Sequence, residues 1–474
     1  MTRKVDVLIV GAGPGGYPAA IRAAQKGKSV LVVDRGYLGG ECLHWGCIPS
    51  KALISAANQY YSLEKIKVMG INVEKASIDM KALQEWKKSV QNKLIGGIRQ
   101  LFKGNGVEYA EGSASFVTPT MVEIIKNKGG KELIEAENII LATGADFKSL
   151  TGFDIDEKQI LSPKGALALN EIPESLIIVG GGVTGLELGT LFAKLGSRVS
   201  IVELMPEILA DIEKGLVRMI STNLRKLGVQ VYKESKATSL HQLNNGTMKL
   251  EIETKKGKET LIANKVLVTI GKQGNVVSLH LDRAGVQTDK SGFIKINNQC
   301  RSNVSNIFAI GDCTGPPFQA HRATKQGIVA AEVIAGESAE TDFRSVPRVI
   351  FTDPEIAFTG LSEKDAKEAG IEVKTARVMW GASGRALTHL SELGYVKVIA
   401  DAKNDAIIGI EIVGPNATDL ISEASLALEM GATLEDLGYT MHPHPTLPET
   451  LMEASEAALN RAIHVIPRKS KKKS

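Results

Sequence analysis

Short apolar runs that stop at glycine organise the first two thirds of the chain. Val5 to Val10 is followed by Gly11-Ala-Gly13-Pro-Gly-Gly16, an alanine-rich stretch of helical periodicity that closes near Gly27, and a second apolar run from Ser29 to Val33 that ends at Asp34. Runs this short and this rich in β-branched residues predict strands buried on both faces, with the stretch between them as the crossover helix of a βαβ unit. The same grammar returns at Leu176 to Val179, Gly180-Gly-Gly182-Val-Thr-Gly185, a helix closing near Gly196 and a strand ending at Glu203. In both copies the first glycine lies 16 residues before the helix-ending glycine and 23 before the strand-ending acid. Further runs end at Thr143-Gly144, at Gly271 and at Gly311-Asp312. They predict strands that reach a ligand crevice, with Asp312 set to meet a polar cofactor chain.

From about residue 346 the texture changes. Tyr395 to Ala400 and Ile407 to Val413 read as strands between amphipathic helices, with no glycine fingerprint. The pattern predicts an α/β protein with two Rossmann-like dinucleotide-binding domains, the second inserted in the first, and a C-terminal α+β domain. The expected bounds are 1–150 and 276–345 for the two parts of the first domain, 151–275 for the insertion and 346–466 for the last domain. A basic tail, 467–474, is expected to be solvated and disordered.

The two turns carry a stated chemistry. Gly11 and Gly180 make the tight turn, Gly13 and Gly182 let the backbone approach a pyrophosphate, and Gly16 and Gly185 let the helix pack closely on the strand. The helix N-terminus then faces the phosphates, and Asp34 and Glu203 would accept ribose hydroxyls. No Arg or Lys occurs in Leu204 to Leu209, so a 2′-phosphate would meet an acid there; NAD is expected rather than NADP.

Composition narrows the partners. The 474 residues suffice for about three domains, and 47 glycines exceed the usual share without a collagen period. Net charge is +4, but Arg468, Lys469, Lys471, Lys472 and Lys473 outweigh all of it. The body has no basic field, so nucleic acid is not an expected partner. No apolar run approaches a membrane span, and a cytoplasmic location is expected. Four cysteines are too few for a secreted disulfide framework.

Two of those cysteines sit in Gly39-Gly-Glu-Cys42-Leu-His-Trp-Gly-Cys47-Ile-Pro-Ser-Lys51. On an ideal helix five residues rise about 7.5 Å, beyond the ~7 Å Cα limit for an unstrained bridge. A disulfide here needs a distorted turn, which Gly46 could permit, and strained bridges are the readily reduced ones. His44 cannot complete a metal site alone, and no metal is expected. Glu41 puts negative charge beside Cys42, while Cys300 and Cys313 are expected to be inert buried thiols.

Cys42-x-x-x-x-Cys47-Ile-Pro-Ser-Lys51, bracketed by two dinucleotide fingerprints and followed by Ile310-Gly311-Asp312, resembles the flavoprotein disulfide reductases, and the resemblance covers the chain up to the lysine tail. His442-Pro-His444-Pro445-Thr446-Leu-Pro-Glu449 is similar to that family's catalytic His-Glu segment. The resemblance implies FAD on the first unit, with Lys51, Thr143, Gly144, Asp312 and Ala320 near it, and NAD on the second. It implies a homodimer in which His444 and Glu449 serve the other subunit's disulfide. Cys42 is then the sulfur attacked by substrate, Cys47 the flavin-facing one, and Lys51 pairs with Glu187. The branch implied is the one that oxidises dihydrolipoyl groups on the lipoyl domain of a 2-oxoacid dehydrogenase or glycine cleavage complex. Other branches fit less well: no cysteine follows Cys313 to form the second pair of mercuric or large thioredoxin reductases.

Residue chemistry agrees with those roles. A neutral imidazole is a suitable base for a dithiol near pH 7. Glu449 would orient it, although Thr446-x-x-Glu449 also reads as a helix capping box. The prolines at 443, 445 and 448 disfavour regular helix there, so the two groups are expected to converge in a loop.

Overall fold

The protein is described by a computed structural model covering residues 2–466; the expected tail, 467–474, lies outside the described residues. The first apolar run forms strand Thr2–Val10, in which Val7, Leu8 and Ile9 are fully buried. Each such side chain contributes about 1.5–3 kcal/mol by leaving water. Its parallel neighbours are Val30–Asp34 on one side and Lys131–Leu141 on the other, with Glu108–Thr118 and Ile307–Ala309 beyond them. Strand Met121–Lys126 joins antiparallel to complete six strands. Helix Gly16–Gln25 covers this sheet through Ala19, Ala20 and Ala23, all fully buried.

The second fingerprint repeats that layout. Strand Ser175–Val179 lies at the middle of a five-stranded parallel sheet, flanked by Arg198–Val202 and Lys265–Val268, with Gln230–Tyr232 and Ile160–Leu161 at the edges. A three-stranded antiparallel sheet, Lys236–Gln242, Met248–Thr254 and Gly257–Ala263, precedes Lys265–Val268. The unit interrupts the first sheet between Lys131–Leu141 and Ile307–Ala309. The chain leaves and returns through one antiparallel pair, Ala145–Phe147 with Lys272–Gly274. The expected breaks at 150/151 and 275/276 fall just after these strands.

The C-terminal region is a five-stranded antiparallel sheet, from Arg348–Ile350 to Ile407–Gly414, covered by helices Ala417–Met430 and Glu449–Ala458. It is tied to the inserted unit by several contacts, among them a hydrogen bond and an ion pair. The backbone N–H of Phe351 donates to Glu187 Oε1 at 2.9 Å, and Lys194 Nζ lies 2.7 Å from Asp353 Oδ2.

Candidate active site

The two glycine turns are built alike to the level of single hydrogen bonds. Ala12 N–H donates to Asp34 Oδ2 at 2.9 Å, and Gly181 N–H donates to Glu203 Oε2 at 2.6 Å. Each acid also catches the backbone just beyond its own strand: Gly36 and Tyr37 donate to Asp34 Oδ1, and Met205 donates to Glu203 Oε1. A carboxylate has about four acceptor sites, so both acids are fixed in place with capacity left for hydroxyls. Gly11 and Gly180 take φ of +104° and +111°, where a side chain would be strained. A Cβ on Gly16 would stand 1.9 Å from Gly11 O, and one on Gly185 2.1 Å from Gly180 O. These two glycines let the helix close on the turn; they do not face the cavity.

That cavity has a volume of about 1430 Å³ and runs from one turn to the other. Gly11, Gly13, Asp34, Thr143, Gly144, Asp312 and Ala320 line its first half; Gly180, Gly182, Glu203 and Gly271 line its second. Cys42, Cys47, Lys51 and Glu187 line it as well. The hydroxyl of Thr143 is buried there without a hydrogen-bond partner among the described residues, a polar atom that a bound polar chain would satisfy. The space exceeds a usual small-molecule pocket of roughly 300–1,000 Å³, and the residues fit two dinucleotides.

The cysteines are brought together by a break between helices. Cys42 belongs to Gly40–His44, Gly46 takes φ −124° and ψ −115°, and Cys47 opens Cys47–Lys65. The break replaces the ideal-helix rise and lets the thiols meet. Both cysteines are free and half-buried, with a side-chain hydrogen bond between them. The bond divides their acidities. Cys47 is held below an ordinary thiol by the hydrogen bond from Cys42 and by the Lys51 ammonium, against burial and the Glu41 carboxylate. Cys42 is pushed up by its bond to Cys47, by burial and by the charge on Cys47. Of the two thiols, Cys47 is therefore the one that ionises more readily.

Lys51 is positioned across domains. Its ammonium donates to Glu187 Oε2 at 2.7 Å and lies 4.4 Å from the centre of the Phe351 ring. His44 and Trp45, which sequence reasoning left without a role, pack with Tyr37, and Lys164 sits 5.0 Å over Trp45. Lys272 was missed altogether: it donates to both oxygens of Glu41, at 2.7 and 2.9 Å, and to Asp312 Oδ2 at 3.3 Å. Its available signal was its position directly after the strand-ending Gly271.

Cys300 and Cys313 are fully buried, and burial pushes their thiols up to about 12 and about 11. At neutral pH both are protonated and unreactive.

His444 and Glu449 do not line this chain's cavity. His444 is 80% exposed and pairs through Nδ1 with Glu449 Oε1 at 2.9 Å. Burial works against the Glu449 charge, but Thr446 N–H at 2.6 Å and His444 hold its carboxyl below the usual range. The capping-box expectation is half met: Pro448 is the N-cap and Glu449 the first residue of its helix, yet the carboxylate still catches Thr446 N–H. His442 is held by Glu423 and by the Thr440 carbonyl, so the exposed imidazole of the two is that of His444.

The sheet order, the twin turns and the paired thiols define a nucleotide-dependent disulfide oxidoreductase, and the chain belongs to the pyridine nucleotide-disulphide oxidoreductase family. Residues 5–327 match that family and residues 346–455 match its dimerisation domain. The chain is 44% identical to dihydrolipoyl dehydrogenase of Geobacillus stearothermophilus over 463 residues, covering 98% of each chain. It is 42% identical to the proteins of that name from Haloferax volcanii and Bacillus subtilis, again over 98% of each. Among solved structures, LpdA from Mycobacterium tuberculosis superposes with a TM-score of 0.89 at 26% identity, over 96% of this chain and 99% of that one. The flavoprotein disulfide reductase RclA from Escherichia coli shares the fold, with a TM-score of 0.84 at 23% identity over 95% and 99%. No helix among the described residues is long and apolar enough to cross a membrane.

Proposed function

We propose that the protein is a dihydrolipoyl dehydrogenase, which oxidises a protein-bound dihydrolipoyl dithiol to its cyclic disulfide with reduction of NAD. FAD on the first unit supplies a two-electron carrier and NAD on the second a hydride acceptor. The chain's own residues handle the sulfur chemistry. With Cys42 and Cys47 joined as a disulfide, one substrate thiol gives its proton to the neutral imidazole of His444 and attacks Cys42 Sγ as a thiolate; the S–S bond breaks and Cys47 leaves as a thiolate. Lys51, fixed by Glu187, stabilises that charge. The second substrate thiol then attacks the substrate sulfur of the mixed disulfide, closing the cyclic disulfide and releasing Cys42, which takes up that thiol's proton. Two electrons have then passed to the cysteine pair. Glu449 orients the imidazole and favours its cation.

Because His444 is exposed and away from its own chain's cavity, the base acting on each sulfur pair is supplied by a second copy, through the 346–466 domain of a homodimer. The natural substrate is the lipoyl domain of a 2-oxoacid dehydrogenase or glycine cleavage complex. One observation carries the reading: a pair of free thiols, Cys42 and Cys47, set in the cavity that also holds both dinucleotide turns. Steady-state assays of lipoamide and glutathione disulfide with NADH and NADPH test it. Lipoamide with NADH should exceed every other combination in kcat/KM by about a hundredfold or more, the scale on which a site rejects the wrong substrate. Preference for glutathione disulfide or NADPH would contradict it.

A further inference from the structure

Glu41 precedes Cys42 in helix Gly40–His44. An acid there opposes thiolate formation, and its carboxylate does act against the charge on Cys47. Yet Glu41 does not stand alone. Lys272 contacts both of its oxygens and reaches Asp312, with the rings of Phe147 and Phe318 centred 5.4 and 5.9 Å from the ammonium. The Lys272 side chain is only 17% exposed. Burial disfavours its charge, but Glu41 and Asp312 outweigh that and hold the ammonium protonated. Burial raises the Glu41 carboxyl, and Lys272 works against that rise. The lysine comes from the strand by which the inserted unit rejoins the first domain.

We infer that Lys272 is a positioning residue for the sulfur pair: it closes the Glu41 carboxylate into an ion network shared with Asp312 and so offsets most of that acid's opposition to thiolate formation at Cys47. The inference rests on the reading of Cys42 and Cys47 as the redox couple. The other groups that set the Cys47 charge are Cys42 itself and Lys51, which is paired with Glu187. Tyr17 faces Cys42 from helix Gly16–Gln25, and Asp146 acts on Glu41 from the paired strand. None of these cancels Glu41 as a cation in contact with it does.

Iodoacetamide alkylation of the dithiothreitol-reduced holoenzyme, with Cys47 quantified by peptide mass spectrometry between about pH 5 and pH 10, tests the inference without reference to turnover. Lys272→Met should move the alkylation midpoint up by about one pH unit, which is roughly tenfold slower labelling below it. Lys272→Arg should keep the midpoint within about 0.3 unit, since it keeps the charge. Glu41→Gln should move it down, and Glu41→Gln with Lys272→Met should return it toward the unsubstituted protein. An unmoved midpoint in Lys272→Met, or a double variant displaced as far as the single one, would overturn the inference. If Lys272→Met does not fold, Glu41→Gln decides alone, and an unchanged midpoint there overturns it. Cysteines that label equally in the oxidised and reduced protein would instead remove the redox reading beneath it.

Discussion

The two glycine turns share their spacing, their positive-φ first glycine and their acid-to-backbone hydrogen bond, yet their surroundings differ. In the first unit, Gly13 is pressed against Gly40 of the redox segment: a Cβ on Gly40 would lie 2.6 Å from Gly13 Cα. Helix Ala320–Ile334 roofs the same turn, with Thr324 donating to Pro14 O at 2.8 Å and no room for a Cβ at Gly327, 2.5 Å from Gly15 O. In the second unit, a Cβ on Gly182 would meet nothing within 4 Å. One sequence pattern therefore builds two different sites. On the proposed reading the turn serves phosphate in both, and what packs over it decides whether the ligand is held or exchanged. A walled first site suits a resident cofactor, and an open second one suits a diffusible nucleotide.

Alanine at the matched helix-packing glycines, Gly16 and Gly185, gives the widest separation in ligand effects. Gly16→Ala forces a Cβ into Gly11 O and should cost about 1–3 kcal/mol or more, seen as a lower Tm and purified protein short of flavin. Gly185→Ala forces a Cβ to 2.1 Å from Gly180 O and should lower Tm in the same way, but with flavin retained and its ligand effect confined to the KM for NADH. Equal loss of flavin from the two variants would abolish the distinction between a held and an exchanged ligand.

Removal of the acids is a smaller perturbation. Glu203→Ala should raise the KM for NADH several-fold to tenfold, the worth of about one charge-assisted hydrogen bond, with flavin retained. Asp34→Ala should speed flavin loss on dialysis while a flavin-loaded sample keeps its KM for NADH. Crossed results, with Glu203→Ala losing flavin, would assign the units the other way round.

The smallest effect lies outside both units. Glu449 is held below the usual carboxylate range, so its link to His444 is present at neutral pH. The stability it contributes exists above the unfolded carboxylate value and is lost as pH falls through the lower folded one. Glu449→Gln should therefore lower kcat at pH 7 with flavin content and the KM for NADH intact. The Tm difference from the unsubstituted protein should shrink only below about pH 4. A difference already gone at pH 6 would show that the carboxylate is not held low.

Much of this was legible in the chain because its signals are local. The glycine offsets, the strand-ending Asp34 and Glu203 and the need for a break at Gly46 depend on residues near in sequence, and periodicity reports them. The resemblance added the Lys51–Glu187 pairing, which spans 136 residues. What stayed hidden was set by packing between distant segments. Lys272 lies 231 residues from Glu41, so a bare acid beside Cys42 could only be read as unfavourable. The crowding of Gly13 by Gly40 gave the first turn a wall that its fingerprint, identical in form to the second, does not encode. Local pattern likewise could not choose between His442 and His444; the structure distinguishes them by tying the former to Glu423 and leaving the latter exposed.

The central claim is that the Cys42–Cys47 pair exchanges electrons with pyridine nucleotide inside one protein. The direct measurement is anaerobic addition of NADH to the oxidised, flavin-loaded protein, followed at once by thiol trapping and peptide mass spectrometry. The account predicts that Cys42 and Cys47 are both unreactive before NADH and both become alkylated after it, with Cys300 and Cys313 unlabelled throughout. Labelling of Cys42 and Cys47 that is the same with and without NADH would contradict it.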